Sequence, residues 1–295
     1  MIGPPTHRDC FSQPLPQLTK GSGVRYRSVG ASGATTNNAT PPSILLNISA
    51  AYLENRAEKY LDEHKDNLRS KLPISTTFPS FTLDSENDVV TASYTYIILP
   101  IMEMLRIKYG DKITLRTELT EKAMIKVEKI VEDEVVVESV IRYDLVFKGS
   151  RSSAHAPRTV AVLEYKRRKM LRYTDFKEAI IPFNYKPADY NEAEYNLRRD
   201  GTLLMMNGIS YSKQAAQYAR TTNCGHVAIF DWENLVLLGF HELKQAGDFT
   251  AGKHALIAWI HESPLTNAGR FIQKKHIRKV MLGWILQALD QMGLS

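Results

Sequence analysis

Thr159-Val-Ala-Val-Leu-Glu-Tyr-Lys166 is the stretch on which the reading of this chain turns. Val160 to Leu163 carry no charge on either alternating face, the mark of a strand buried on both sides of a sheet. The strand then runs into Glu164 and Lys166. Side chains two apart on a strand share a face, so two ionisable groups project together from the end of a buried element. Ionised groups are expensive to bury unless they are paired, bound to a metal or placed at an open sheet edge. This is therefore the place to look for chemistry.

The preceding apolar strand, Ile141-Arg-Tyr-Asp144-Leu-Val-Phe147, carries an acid of its own. Pairing of the two strands as a hairpin across the polar loop 149–158 would bring Asp144 beside Glu164. Two carboxylates and an ammonium suit phosphodiester hydrolysis. Mg²⁺ is a hard cation that takes one or two carboxylates together with water and substrate phosphate. Asp144 and Glu164 supply those ligands, joined by the carbonyl of Tyr165, and Mn²⁺ is the expected substitute. Lys166 would orient or deprotonate the attacking water, or meet the charge that develops on phosphate.

Working outward, the spacing predicts a compact helix over 211–222, ended at Asn223 or Gly225, and two short strands at 226–230 and 235–240. Upstream, Val, Ile, Thr and Tyr predict strands at 113–118, 123–131 and 135–147, with Glu132-Asp133-Glu134 as a turn. A helix is expected from Asp84 or Ser85 to Tyr109, kinked or split by Pro100. Leu46, Leu53, Ala57, Tyr60 and Leu61 predict another over 43–72, with Pro73 at its end. A last amphipathic helix is expected over 267–292. Pro4, Pro5, Pro14, Pro16, Pro41 and Pro42 fall within residues 1–42, where Gly, Ser, Thr and Asn fill much of the rest. This predicts a disordered tail ahead of a single domain, 43–295. The order of elements predicts an α/β fold, a central mixed sheet flanked by helices.

Asp144, then Glu164-x-Lys166 at the end of an apolar strand, resembles the PD-(D/E)XK nuclease superfamily, with Tyr143 where the namesake motif has proline. Gln214-x-x-x-Tyr218 resembles the motif of the RecB and lambda-exonuclease branch. The chain is similar in these respects to uncharacterised fungal nuclease-like proteins. The resemblance spans about 84–240. It implies a restriction-endonuclease-like core, with helical N- and C-terminal extensions outside it, the latter at 241–295. It also implies a catalytic set of Asp144, Glu164, Lys166 and Gln214 with an acid from the first helix. Glu86 is preferred for that acid over its competitor Glu103, and would join Asp144 and Glu164 on the metal.

Charge and composition bear on partners. The net charge is +6 and the pI about 9.1, a balance that favours polyanions. Arg167, Arg168, Lys169 and Arg172 crowd behind Lys166 as expected phosphate contacts. Lys186, Arg198 and Arg199 would extend the strip, Tyr165 and Tyr173 could stack on bases, and Tyr218 would face the substrate. The expected partner is nucleic acid, DNA ahead of RNA. A non-catalytic binding module or an interaction scaffold on the same fold is the competing class. The 2 cysteines form no disulfide framework, so an intracellular setting, cytoplasmic or nuclear, is expected. No apolar run reaches the roughly 20 residues of a bilayer span, and no zinc, phosphate-loop or serine-nucleophile motif occurs.

Overall fold

Val160 to Leu163 lie in the middle of a sheet, as their composition requires. The computed structural model describes residues 8–18, 26, 39–69, 82–127, 135–151, 155–197, 201–240, 254–262 and 269–294. The strands are β1 (Ile44–Asn47), β2 (Ile113–Val127), β3 (Val135–Gly149), β4 (Arg158–Tyr165), β5 (Ile180–Pro182), β6 (His226–Phe230), β7 (Asn234–Gly239), β8 (His254–His261) and β9 (Ile272–Lys274). They join one mixed sheet in the order β2-β3-β4-β6-β7-β8-β1-β5, with β9 beside β8. β4 is antiparallel to β3 and parallel to β6, so both its edges are paired and its apolar run is covered above and below. The fold is α/β.

The helices are α1 (Ala51–Glu63), α2 (Lys65–Arg69), α3 (Glu86–Ser93), α4 (Leu99–Tyr109), α5 (Pro187–Tyr195), α6 (Met206–Thr222) and α7 (Ile277–Gln291). Residues from α1, α3, α4 and α7 pack with Leu145, Leu163, Tyr165 and Phe230 on one face of the sheet. Tyr211, Ala215 and Tyr218 of α6 pack with Val146, Val162 and Ile229 on the other. The period of two along each strand divides the core into these two layers. Contact between α1 and α7 is close enough that a Cβ on Gly283 would stand 1.9 Å from the Leu53 carbonyl oxygen. Only glycine fits there.

The helix that opens the site begins as its sequence predicts. Ser85 caps α3, accepting from the Asp88 amide at 3.1 Å, while Asp88 accepts from the Ser85 amide at 2.7 Å. Pro100 does not end the helical run. A π turn at Tyr94–Ile98 precedes it, and Arg278 donates from Nε to the Tyr96 carbonyl at 2.6 Å. Proline lacks the N–H that would bond the carbonyl four residues back; a buried arginine bonds it instead. The stretch Glu86–Lys112 is long and apolar enough to cross a membrane by composition, yet 61% of its most apolar window is buried inside the protein. It reads as a core helix.

Several expectations are corrected. Residues 8–18 are not a disordered tail: Phe11 is fully buried in the α1–α7 layer, Arg278 holds the Cys10 and Gln13 carbonyls, and the Leu15 amide donates to Glu262. Ala39 and Pro41 to Ser43 likewise pack or border β1. The helix expected over 43–72 opens as β1, because four residues of Ile44-Leu-Leu-Asn fit a buried strand as well as a helix face. Within 241–295, the described residues are not a helical extension alone. They supply β8 and β9 to the sheet before α7 begins at Ile277, so the core reaches well beyond 84–240. The strands expected at 113–118 and 123–131 form one continuous β2 as far as Val127. The Glu132-Asp133-Glu134 turn, Pro73, Arg198 and Arg199 lie outside the described residues.

Candidate active site

Asp144 of β3 faces Glu164 of β4, because Leu145 pairs with Leu163 in the adjacent register. The two carboxyl groups are close enough for the Glu164 charge to act on Asp144. Glu164 belongs to the sheet face covered by α6. Asp144 Oδ2 accepts from the Tyr165 amide at 2.8 Å, which fixes one oxygen. Burial first, and the neighbouring Glu164 charge second, push the Asp144 carboxyl up to about 7 from its ordinary 3.8. Two acids held together in a desolvated pocket cannot both ionise cheaply.

Glu164 is buried and held on both oxygens. Gln214 Nε2 donates to Oε1 at 2.8 Å, and the Tyr218 hydroxyl donates to Oε2 at 2.9 Å. Gln214 also reaches the Tyr218 oxygen at 2.6 Å, so the two residues, one helical turn apart on α6, act as a single clamp. Tyr143 explains its own place in the sequence. It is fully buried, and its ring packs on that of Tyr218, centroids 4.8 Å apart. Burial and the adjacent Glu164 hold the Tyr218 phenol far above its usual range, so it stays a proton donor.

Lys166 leaves the end of β4 anchored by its amide, which donates to the Phe230 carbonyl at 2.8 Å. Its Nζ pairs with Glu164 Oε1 and lies 5.2 Å from the centre of the Tyr211 ring. Glu86, first residue of α3, stands at the rim. It is open to solvent, yet the crowded mouth raises its carboxyl, with Lys166 acting against that shift and Asp144 adding to it. The Arg167 amide also bonds it. Glu103 instead influences Cys10, in the other layer of the protein, so Glu86 is the first-helix acid that borders the pair.

Not every expected residue joins the site. Among the described residues, no three His, Cys, Asp or Glu side chains are close enough to hold a metal ion. The expected trio of Glu86, Asp144 and Glu164 is therefore not assembled. Two adjoining hard-oxygen donors with excess negative charge remain, and that donor set suits a dication such as Mg²⁺ or Mn²⁺. Arg168, expected on phosphate, is 3% exposed and paired with Glu233; it ties the loop after β4 to the β6–β7 turn. Tyr218 is buried on Glu164 and cannot face substrate. Tyr165 is buried on the opposite face, bonded to Ser93 at 2.9 Å. The Tyr173 ring is occupied against Trp259, edge to face at 5.6 Å.

Arg167 is half-buried, and its Nε has no partner among the described residues. Lys169 and Arg172 are exposed. Two residues near the site were missed in the sequence. Tyr26 lies in a Gly- and Ser-rich stretch that offers no pattern at all, and Asp175 sits in a short 3-10 turn. The one available signal was Arg25-Tyr26-Arg27, an aromatic between cations inside a polar segment.

No protein-family model matches this chain, and no curated protein matches it.

Proposed function

We propose that this chain is a metal-dependent nuclease with a restriction-endonuclease-like core, hydrolysing phosphodiester bonds of nucleic acid, with DNA as the substrate class. The observation that carries the reading is the placement of Asp144 and Glu164 side by side on neighbouring strands, with Lys166 paired to the same Glu164. A structural pair gains little from two abutting acids, one of them destabilised in its charged form. A dication site gains its ligands from that arrangement.

Asp144 and Glu164 would hold Mg²⁺ or Mn²⁺, which when bound supplies a Lewis acid for the phosphate and lowers the pKa of its water. The remaining work belongs to the chain. The Tyr165 amide orients Asp144, and Gln214 and Tyr218 orient Glu164, fixing both carboxylates before substrate arrives. Lys166 stands over the pair, where it can direct the attacking water or meet the charge on the phosphorane. Glu86 adds negative charge across the mouth. Arg167 and Lys169 are available to the phosphate backbone, and the orphaned Arg167 Nε is a donor that a phosphate oxygen would satisfy.

The test is plasmid nicking over a Mn²⁺ titration, with binding of a labelled duplex measured in parallel. Lys166→Ala should lower cleavage by roughly 10²–10⁴ while leaving affinity nearly intact. Asp144→Ala should recover partly at high Mn²⁺, and Gln214→Ala should fall between the two. Full activity in the lysine variant would remove Lys166 from the mechanism. A wild-type chain that neither binds Mn²⁺ nor nicks would leave the fold as a scaffold.

A further inference from the structure

Tyr26 makes two polar-face contacts that a side chain in a featureless segment has no reason to make. Its ring lies flat enough under the Arg172 guanidinium that Cζ stands 3.4 Å from the ring centre. Its hydroxyl donates to Asp175 Oδ2 at 2.8 Å. Asp175 is buried and rigidly placed. Its carbonyl accepts from the Met205 amide at 2.8 Å, its side chain accepts from the Asn207 amide, and a Cβ on Gly208 would approach its carbonyl oxygen to 2.4 Å. Arg172 is exposed. A fixed carboxylate therefore accepts from the hydroxyl edge of a ring whose face is covered by a guanidinium.

The arrangement abuts the candidate active site. Tyr211 is in electrostatic reach of Tyr26, Asp175 and Glu86, and its ring touches Lys166 Nζ on the other side. Tyr211 thus neighbours both Lys166 of the candidate site and the Tyr26–Asp175 contact. Successive nucleotides on a single strand would span such a step, phosphate at one end and base at the other.

We propose that Arg172 and Asp175 form a nucleobase subsite for single-stranded nucleic acid, and that Tyr26 occupies it in the free chain as an internal stand-in for the base. The inference rests on the nuclease reading for its choice of ligand. Guanidinium planes stack on bases as they do on tyrosine. A carboxylate in the ring plane accepts from an exocyclic amine, as carboxylates do from cytosine N4. Thymine offers only one N–H, set between two carbonyls that would face the Asp175 oxygens. The subsite should thus favour cytosine over thymine. Self-occupancy lowers apparent affinity by the fraction of chains in which the subsite is open.

The experiment measures binding of fluorescein-labelled oligo-dC and oligo-dT by anisotropy, in EDTA so that nothing is cleaved, using the full chain. Tyr26→Ala should bind oligo-dC more tightly by on the order of tenfold, the scale of one cation–π contact and one hydrogen bond released, and oligo-dT by less. Adding Arg172→Ala to Tyr26→Ala should abolish the gain. Adding Asp175→Asn should keep the stacking gain and erase the preference for dC. Oligo-dC affinity that is unchanged or weaker in Tyr26→Ala overturns the subsite while leaving the nuclease reading intact, provided wild type still binds and nicks. If no variant binds either oligomer and the wild type does not nick, the nuclease reading falls and the subsite with it.

Discussion

Replacing Asp144 with Asn should stabilise the metal-free protein, and increasingly so as pH rises. The Asp144 carboxyl is raised from 3.8 to about 7 by burial and by Glu164, so the folded chain binds a proton that the unfolded chain has released between those values. The contribution is fully present below about pH 4 and is lost as pH climbs through about 7. At roughly 1.4 kcal/mol per pKa unit the loss approaches ~4 kcal/mol; solvent access to a partly buried group trims it to about 2. Asn keeps an acceptor for the Tyr165 amide and offers its own N–H₂ to Glu164, without a charge to titrate. Urea unfolding in EDTA from about pH 4 to about pH 8, followed by tryptophan fluorescence, should show the variant gaining ~2–4 kcal/mol on the wild type across that range. Taking the difference cancels the other buried acids, Asp231 and Asp175 among them. Millimolar Mn²⁺ should then restore the wild type and leave the variant unchanged. Parallel pH profiles for the two proteins would refute the repulsive-pair argument.

Arg168→Ala should cost about 3 kcal/mol in thermal or urea unfolding, since it empties a buried ion pair, whereas Lys169→Ala should stay within about 0.5. Equal losses would mean that Arg168 is not structural. Neutralising Arg167 and Lys169 together should flatten the log-affinity against log-salt slope for nucleic acid by roughly 1.4–1.8; an unchanged slope would put the binding surface elsewhere. Phe11→Ala should lower stability by about 3–5 kcal/mol, measured by urea unfolding, and a neutral result would detach residues 8–18 from the core.

Local rules made the centre of this protein legible. A short uncharged run rich in Val between two polar loops reads as a central strand, and strand alternation then puts Glu164 and Lys166 on one face. The spacing of Gln214 and Tyr218 gave their shared helix face, and Ser85 gave the start of α3. What the sequence hid was decided by tertiary partners. Arg168 looks like any other cation in a basic run, and only Glu233, distant in sequence, makes it a buried anchor. Phe11 and Leu15 stand among prolines and polar residues, and the groups that hold their segment, Arg278 and Glu262, come from the far end of the chain. β1 is too short to show a period, and β8 is an apolar run of 8 residues that leaves strand and helix equally open. Tyr26 has no neighbours in sequence that predict its contact with Arg172.

β1 lies between β8 and β5, in parallel register with both, which has a consequence for how the molecule comes to be made. A segment near the start of the chain is completed by one near its end. During synthesis at about 5–20 residues per second, β1 waits on the order of ten seconds or more before β8 leaves the ribosome, with its apolar side chains and one row of backbone groups uncovered. β5 can pair with it earlier, but only three residues long, it closes one flank alone. Contacts of such high sequence separation slow folding, and unpaired strand edges invite association between nascent chains. Chains that stop short of His254 should accumulate as insoluble material or as chaperone clients, whereas the same residues supplied in trans as a peptide would have a waiting slot to fill.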